Sequence, residues 1–545
     1  MANVKFSRKE IEKYIKLNEK NLEIINMLGI PVLLNSEHLE IEVFPNRPDI
    51  ISMHGFIRAL KAFMGKEPGL KKYKINKPEK EFRVKIDSSV NEVRPYTVCA
   101  IVKNLAFDNE KIKEIIDMQE KLHSTIGRNR KKAAIGIYPL EKIKLPITYE
   151  AKKPDEIKFT PLESTEEMTA SEILRKHPTG REFASLLEKH EKYPIFVDSA
   201  KKILSMPPVI NSNDTGKITS STKDVFIECS GFNLDVLKKT LNIVVSTLAE
   251  MGGKIYALNL DYEKNKIITP DFEPQIQKIS LENTNKLLGL DLKEKDLEKL
   301  LAKMGFEYKK GKVLIPAWRT DILHEVDIIE DIAIAYGYDL LKPKIPEVAT
   351  IAEENRENNM KRKIAEILIG LGFLETSSYH LIKKEEAEYF KSEQKIEVEN
   401  SKTEYKLLRP NLLIPALRIL AENKDNEYPQ NIFEIDKVFS LDKKSETSIK
   451  EKESLIISMA PGNFTETKRI LNYLTKMLSL KYELKESSVK GLIEGRAGSI
   501  LINNKNIGYI GELHPETLRA FDIKTPVSVL EISLDEIFDL LDNEE

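Results

Sequence analysis

The spacing of apolar and polar positions changes period several times along the chain, and the changes mark out blocks. In residues 1–75, Ile11, Tyr14 and Ile15 have helical spacing, residues 39–44 alternate, and helical spacing returns from about Pro48. That predicts an amphipathic helix, a strand and a second helix. The stretch KKYKINKPEKEF at 71–82 is rich in lysine and reads as a polar linker. Residues 83–262 alternate in RVKIDSSV and YTVCAIVKNL, which predicts strands, as do AAIGIYPL and DVFIECSG. KIKEIIDMQEKLHSTI has helical spacing at Ile112, Ile115, Ile116 and Leu122, and LDVLKKTLNIVVSTLAEMGG is a helix stopped by two glycines.

Residues 270–346 form a shorter block. It holds a short helix at ENTNKLLGL and a second at EKDLEKLLAKMGF, with Leu297, Leu300, Leu301 and Met304 apolar. A turn and strand at KKGKVLIPAW and a third, acidic helix complete it. Residues 350–545 open with the helix ENNMKRKIAEILIGLGF, again stopped by glycine. Short strands follow at KIEVEN, NIFEIDKVFSL, SLIISMA, GSILINNKNIGYIGEL and VSVLEISLD, so this block predicts a mostly antiparallel sheet flanked by helices. No internal repeat or low-complexity tract interrupts the pattern. With 545 residues, several domains are expected rather than one.

Composition narrows the classes. Hydrophobic residues make up 41%, enough for a core in each block. The 85 basic residues nearly cancel the 87 acidic ones, so bulk charge attracts no polyanion, and nucleic-acid contact would need local patches. Cys99 and Cys229 are the only cysteines. They allow neither a disulfide framework nor a cysteine-ligated zinc site, and a reducing, cytoplasmic location is expected. The charged N-terminal stretch has no apolar signal core, and no apolar run is long enough to span a bilayer.

The common nucleotide and hydrolase signatures are missing. NSNDTGK comes nearest to a phosphate-binding loop, but Asn211 stands where its first glycine belongs. There is no G-x-G-x-x-G after a strand, no G-x-S-x-G elbow, and His324-Glu325 is not followed by a second histidine at the zinc-binding spacing. What remains is the stretch PAWRTDILHEVDIIEDIAIAYGYD at 316–339, which contains the single tryptophan, Trp318. If a helix starts near His324, Asp327, Glu330 and Asp331 share one face and Asp321 can fold back over its first turn. Four carboxylates so placed repel each other unless a cation joins them, and Mg²⁺ takes oxygens of this kind. A solvated or salt-bridged helix start, favoured by the backbone dipole and screened by Arg319, is the alternative. Glu325 reads as a solvated first-turn acid.

This stretch, with KIP beyond it, resembles the B5-domain signature of the phenylalanyl-tRNA synthetase β-subunit family. IEVFPNRPDIISMHGFIRAL at 41–60, GIYPLEKIKLP at 136–146 and HEKYPIFVDSAKKILSMPPVINS at 190–212 resemble further segments of the same family, in its archaeal and eukaryotic branch. The resemblance spans essentially the whole chain. It implies an α+β multidomain fold: an N-terminal α+β domain over 1–75, a B3/B4-type editing domain over 83–262, a winged-helix-like B5 domain over 270–346, and a catalytically silent class II synthetase-like antiparallel-sheet domain over 350–545. It also implies an α-subunit partner in an (αβ)₂ tetramer, tRNA(Phe) as partner, and no membrane association. ATP would be a substrate held mainly by the α subunit, and Mg²⁺ would be ligated by Asp321, Asp327, Glu330 and Asp331. The arginines of the last block agree with a silent domain. Arg409, Arg418, Arg469 and Arg496 fit neither of the arginine patterns with which class II enzymes grip ATP.

A proofreading role follows from the resemblance and from chemistry. An apolar phenylalanine pocket rejects tyrosine only about a hundredfold, because an added hydroxyl is a small misfit. A second pocket that welcomes the hydroxyl needs polar groups in a rigid wall. LSMPPVINSNDTG at 204–216 offers them: Leu204 and the stiff Pro207-Pro208 as wall, with Asn211, Ser212, Asn213 and Thr215 as polar groups. A strand-edge turn followed by a polar loop explains the same residues without a site. Arg128, Arg130, Lys131 and Lys132 are a candidate tRNA-phosphate contact, or a solvated loop. His123, His177 and His190 read as surface or core residues. FPNRPD at 44–49 reads as a turn opening a helix. Two other functions stay open, an RNA-binding scaffold with a silent editing domain and, more weakly, a metal-dependent hydrolase built on the acids at 321–331.

Overall fold

The computed structural model describes residues 2–263, 265–345, 347–349, 351–390 and 395–542. The chain divides into two compact units, Met1–Ile345 and Pro346–Glu545.

The first unit begins with a strand, not the expected helix. In Ala2–Ser7 alternate residues face the core, and the strand pairs with His38–Val43, which also pairs with Val32–Leu34. The apolar residues at helical spacing span a single helical turn, Arg8–Ile11, and the bend after it. The helix expected from about Pro48 starts later: Pro48–Ile50 forms a 3-10 turn, and helix Met53–Phe63 begins at Ser52, whose hydroxyl accepts the Gly55 amide.

Two sheets follow. One has five strands in the order Ile75–Asn76, Lys254–Tyr256, Tyr96–Lys103, Val225–Gly231, Ala133–Pro139. The other has seven, running from Ile210–Asn211 at one edge to Lys266–Thr269 at the other. Val225–Gly231 is buried throughout, between two antiparallel neighbours, so its Glu228 is carried into the interior with Val225, Phe226, Ile227 and Cys229. Helices Asn109–Ser124 and Leu234–Glu250 pack on the five-stranded sheet. Residues 71–82, expected as a linker, belong to this body. Ile75 and Asn76 pair in parallel with Ile255 and Tyr256. Tyr73 packs between Phe272 and Trp318 with ring centroids 5.6 and 5.3 Å away. The lysines that gave the stretch its polar look alternate with apolar residues that face inward.

The last part of this unit is three helices on a three-stranded antiparallel sheet, with Lys312–Ile315 central. The helices are Leu281–Leu288, Glu294–Lys303 and the acidic helix Glu325–Tyr336, which starts at His324 as its sequence predicts.

The second unit is a seven-stranded sheet, antiparallel except where Leu374–Glu375 joins Gln430–Leu441. Helices Arg356–Gly370, Phe464–Met477 and Leu534–Asp542 close one face. Helix Leu413–Glu422 fills the other. KIEVEN forms only an isolated bridge, Glu397 to Leu407, among the described residues. Three of the four arginines singled out above pair with this unit's own acids. Arg409 is fully buried, with Glu434 and Asp436 both at 2.8 Å. Arg418 pairs with Glu386 and Arg496 with Glu512, while Arg469 is exposed.

Candidate functional site

Two features collect the residues singled out above, a cavity beside the five-stranded sheet and an acidic cleft.

The cavity, about 230 Å³, is bounded by the 207–211 segment, helix Asn109–Ser124 and the two buried strands. Its floor is Glu228. The register sets Glu228 between Cys99 on one side and Gly136 on the other. Glycine is needed there because a Cβ on residue 136 would lie 2.2 Å from the Tyr138 hydroxyl and 2.6 Å from Glu228 Oε1. The Tyr138 hydroxyl reaches Glu228 Oε1 and Asn211 Oδ1, each at 3.2 Å. Glu228 is only 2% exposed, and its Oε2 is buried with no hydrogen-bond partner. Burial pushes its carboxyl up to about 8, with Arg94 pulling the other way. A buried acceptor left unsatisfied is costly, and a donor that enters the cavity can relieve that cost.

The wall opposite is the Pro207–Pro208 segment, whose peptide bond is cis. Arg130 secures it. Its Nη1 donates to the Val209 carbonyl at 2.8 Å and the Pro208 carbonyl at 3.4 Å, its Nη2 meets Glu120 at 3.0 Å, and the guanidinium lies 4.2 Å from the Phe183 ring centre. The same Glu120 oxygen is 3.3 Å from His123 Nδ1, while His123 Nε2 accepts the Ile135 amide at 2.8 Å. Burial holds the His123 imidazole below its ordinary range. Both of its nitrogens are engaged, so it is a structural residue rather than a base.

The candidates from sequence therefore separate. Pro207, Pro208 and Asn211 line the cavity. Leu204, Ser212, Asn213 and Thr215 do not; they buttress the hairpin behind it. Leu204 is fully buried, and its carbonyl accepts the Ser212 amide at 2.8 Å and the Thr215 hydroxyl at 3.4 Å. The Asn213 amide bonds the Thr160 carbonyl. Of the basic cluster, Arg128, Lys131 and Lys132 are exposed, while Arg130 turns inward. Glu228 and Tyr138 were missed by sequence reasoning. The available signal was a lone acid in the apolar run VFIECSG.

In the cleft, about 620 Å³, Asp321, Asp327, Glu330 and Asp331 line one wall and Arg47 stands among the residues opposite. Arg319 joins two of the acids: Nε and Nη2 meet Asp321 at 2.8 and 2.7 Å, and Nη2 meets Asp331 at 2.7 Å. Burial works against charge on Arg319, but Asp331 and Asp321 outweigh it and push its pKa up. Burial raises the Asp331 carboxyl, with Arg319 pulling it back. Asp327 accepts the Leu323 and His324 amides at 2.8 and 2.7 Å, capping the helix. Among the described residues, no three histidine, cysteine or acidic side chains are grouped as a metal cage. Glu325 is not the solvated acid expected. It accepts the Ser280 amide and the Asn283 side chain, tying two helix starts together.

The FPNRPD turn supplies a further charge layer here. Asp49 is 2% exposed and forms a two-pronged pair with Arg47, at 2.9 and 3.1 Å. Burial opposes its ionisation, but Arg47, with Arg319 and Arg58 behind, outweighs that and holds it below the usual carboxylate range.

Comparison with known proteins accounts for these parts. Residues 91–250 match the family described as B3/4 domain, 277–338 the tRNA synthetase B5 domain, and 341–534 the phenylalanyl tRNA synthetase beta chain CLM domain. A phenylalanine–tRNA ligase beta subunit of Archaeoglobus fulgidus is 36% identical over 544 residues, covering 97% of each chain. This chain belongs to the phenylalanine–tRNA ligase β-subunit family. Its counterpart in Thermococcus sibiricus is 37% identical over 500 residues, covering 90% of this chain and 89% of that one. A solved N-terminal fragment of the Pyrococcus horikoshii phenylalanyl-tRNA synthetase beta subunit superposes with a TM-score of 0.58 at 37% identity, over 62% of this chain and 99% of the fragment. The cavity thus lies in the B3/4 domain of a family β subunit, and the acidic helix in its B5 domain. Among the described residues no helix is long and apolar enough to cross a membrane.

Proposed function

We infer that this chain acts with an α subunit, as an (αβ)₂ tetramer in the cytoplasm, to join phenylalanine to tRNA(Phe) at the expense of ATP, and that its B3/4 cavity hydrolyses mischarged Tyr-tRNA(Phe). Synthesis belongs to the partner, since Arg409, Arg418 and Arg496 are already paired with this chain's own acids.

One observation carries the proofreading reading, the buried and unpartnered Glu228 Oε2 on the cavity floor. A tyrosine ring entering the cavity brings a hydroxyl to that oxygen; phenylalanine leaves it unsatisfied. The discrimination rests on the cost of an unpaired buried acceptor, which exceeds what an apolar wall can achieve. With both His123 nitrogens taken and no general base brought to the cavity by the 204–216 segment, hydrolysis relies on a positioned water and the substrate's ribose hydroxyl. The test is deacylation of Tyr-tRNA(Phe) by the complex. Rapid tyrosine release, with Phe-tRNA(Phe) spared, supports proofreading; intact Tyr-tRNA(Phe) makes the chain a scaffold. Gly136→Ala drives a methyl group into the Tyr138–Glu228 contact and is expected to slow tyrosine release at least tenfold in that assay.

The cleft acids offer the hard oxygen donors that Mg²⁺ takes, and all four line one wall. The ion would be held by Asp321, Asp327, Glu330 and Asp331, in competition with Arg319 for two of them. It would supply charge neutralisation between the N-terminal turn and the acidic helix, away from the hydrolytic cavity.

A further inference from the structure

A cavity of about 670 Å³ in the first unit shares no lining residue with the hydrolytic cavity or the acidic cleft. It lies where three sheets end. Ile75 is on the outermost strand of the five-stranded sheet and Ile268 on that of the seven-stranded sheet. Glu307 and Lys309 are on Glu307–Lys309, an outermost strand of the three-stranded sheet. An outermost strand keeps one row of amide and carbonyl groups with no strand beside it. Such a row takes an extended peptide as one more strand, with pockets for its alternate side chains.

The lining shows which side chains would fit. Tyr73, Phe272 and Trp318 make one wall, each ring within 6.1 Å of the other two. Ile268 is 57% exposed, and the apolar surface continues past the cavity, because Leu314 in its wall pairs across the sheet with Ile276, which is 59% exposed. The charges at the rim are unevenly matched. Lys71 meets Glu250 at 2.9 Å and Glu67 at 3.1 Å, while Lys72 and Lys309 share Glu307 at 3.7 and 2.6 Å. Asp271 and Glu273 are exposed and pair with no cation among the described residues; Asp271 only accepts the Glu273 amide, at 3.0 Å. The lysines are therefore neutralised by acids of this chain, and the charge left over is negative. An aromatic wall also favours a cation, and Arg58 already lies 4.3 Å from the centre of the Trp318 ring.

We propose that this cavity docks an extended, basic segment of a partner protein, added as a strand beside Lys266–Thr269. Its aliphatic side chains pack on Ile268, Leu314 and the aromatic wall, and its lysine or arginine side chains reach Asp271 and Glu273. The apolar floor gives contact area, and the two unmatched acids select against acidic segments. This docking is independent of the hydrolytic cavity and of the chemistry proposed there.

The test is selection of random seven-residue peptides displayed on phage against the immobilised α–β complex. The enriched sequences are expected to carry lysine or arginine among aliphatic residues. A selected peptide, made with a fluorescein label, is then followed by anisotropy. Glu273→Lys, a change at an exposed position, is expected to weaken its binding about tenfold, and added salt to weaken it further. Ile268→Asp, on the exposed face of the same edge, is expected to weaken it at least as much. Both variants should charge tRNA(Phe) with phenylalanine at the wild-type rate, which shows that the complex is intact. Hydrogen exchange of the amides in 266–269 should slow when the peptide binds. Enriched peptides that are neutral or acidic, that bind Glu273→Lys as tightly as the wild type, or that slow exchange only elsewhere overturn the proposal. So does a selection that enriches nothing.

Discussion

Glu228→Leu is expected to lower the efficiency of Tyr-tRNA(Phe) hydrolysis roughly 10- to 100-fold, the cost of leaving a buried hydroxyl without its acceptor. Selectivity for tyrosine over phenylalanine should fall by the same factor, because an apolar floor serves both rings alike. The measurement is kcat/KM for the two esters; a variant that keeps its selectivity would remove Glu228 from recognition. The same substitution has a signature in stability. The carboxyl titrates near its ordinary 4.5 when unfolded and is pushed up to about 8 by burial when folded. Between those pH values the folded chain binds more protons than the unfolded one, so stability falls as pH rises through the window. Glu228→Leu lacks this slope. Thermal unfolding at pH 6 and pH 9 should therefore show the variant losing less than the wild type on going to the higher pH.

Arg319→Met is expected to cost about 3–5 kcal/mol, because it leaves Asp331 buried without its cation and takes one positive neighbour from Asp49. Denaturant unfolding of the first unit's signal measures it, and a loss under about 1 kcal/mol would show the pair to be dispensable. Arg319→Met with Asp331→Leu should recover much of the loss, since replacing both partners by apolar groups removes the uncompensated charge. Mg²⁺ adds a second readout. If the cleft acids bind it in competition with the guanidinium, Mg²⁺ should raise the Tm of Arg319→Met more than that of the wild type. Equal shifts would argue that the ion does not take Arg319's place.

The site was partly legible before the fold. The proline pair, Asn211 and the four acids were singled out by the family resemblance together with their local chemistry, and the structure sets Pro207, Pro208 and Asn211 on one cavity and the acids on one cleft. The neighbours Ser212, Asn213 and Thr215 carry the same chemistry but face the hairpin behind. Which side of a turn a polar residue takes depends on pairing to distant strands, and nothing within the segment records it.

The chain's own periodicity determined the helices Asn109–Ser124, Leu234–Glu250 and Glu325–Tyr336 and the long strands, because alternation and helical spacing are local. The spacing of Arg409, Arg418, Arg469 and Arg496 set the expectation that the last domain does not grip ATP. The tertiary structure decided what depends on burial and on meetings across long sequence separations. It placed Glu228 across from Gly136 and so left an oxygen unpaired. It turned Arg130 from a surface charge into a clamp on Pro208 and Val209. It drew the lysine-rich stretch at 71–82 into a sheet and set Arg319 between Asp321 and Asp331. Charge and desolvation energies belong to a three-dimensional environment, and sequence shows only which residues are available to form it.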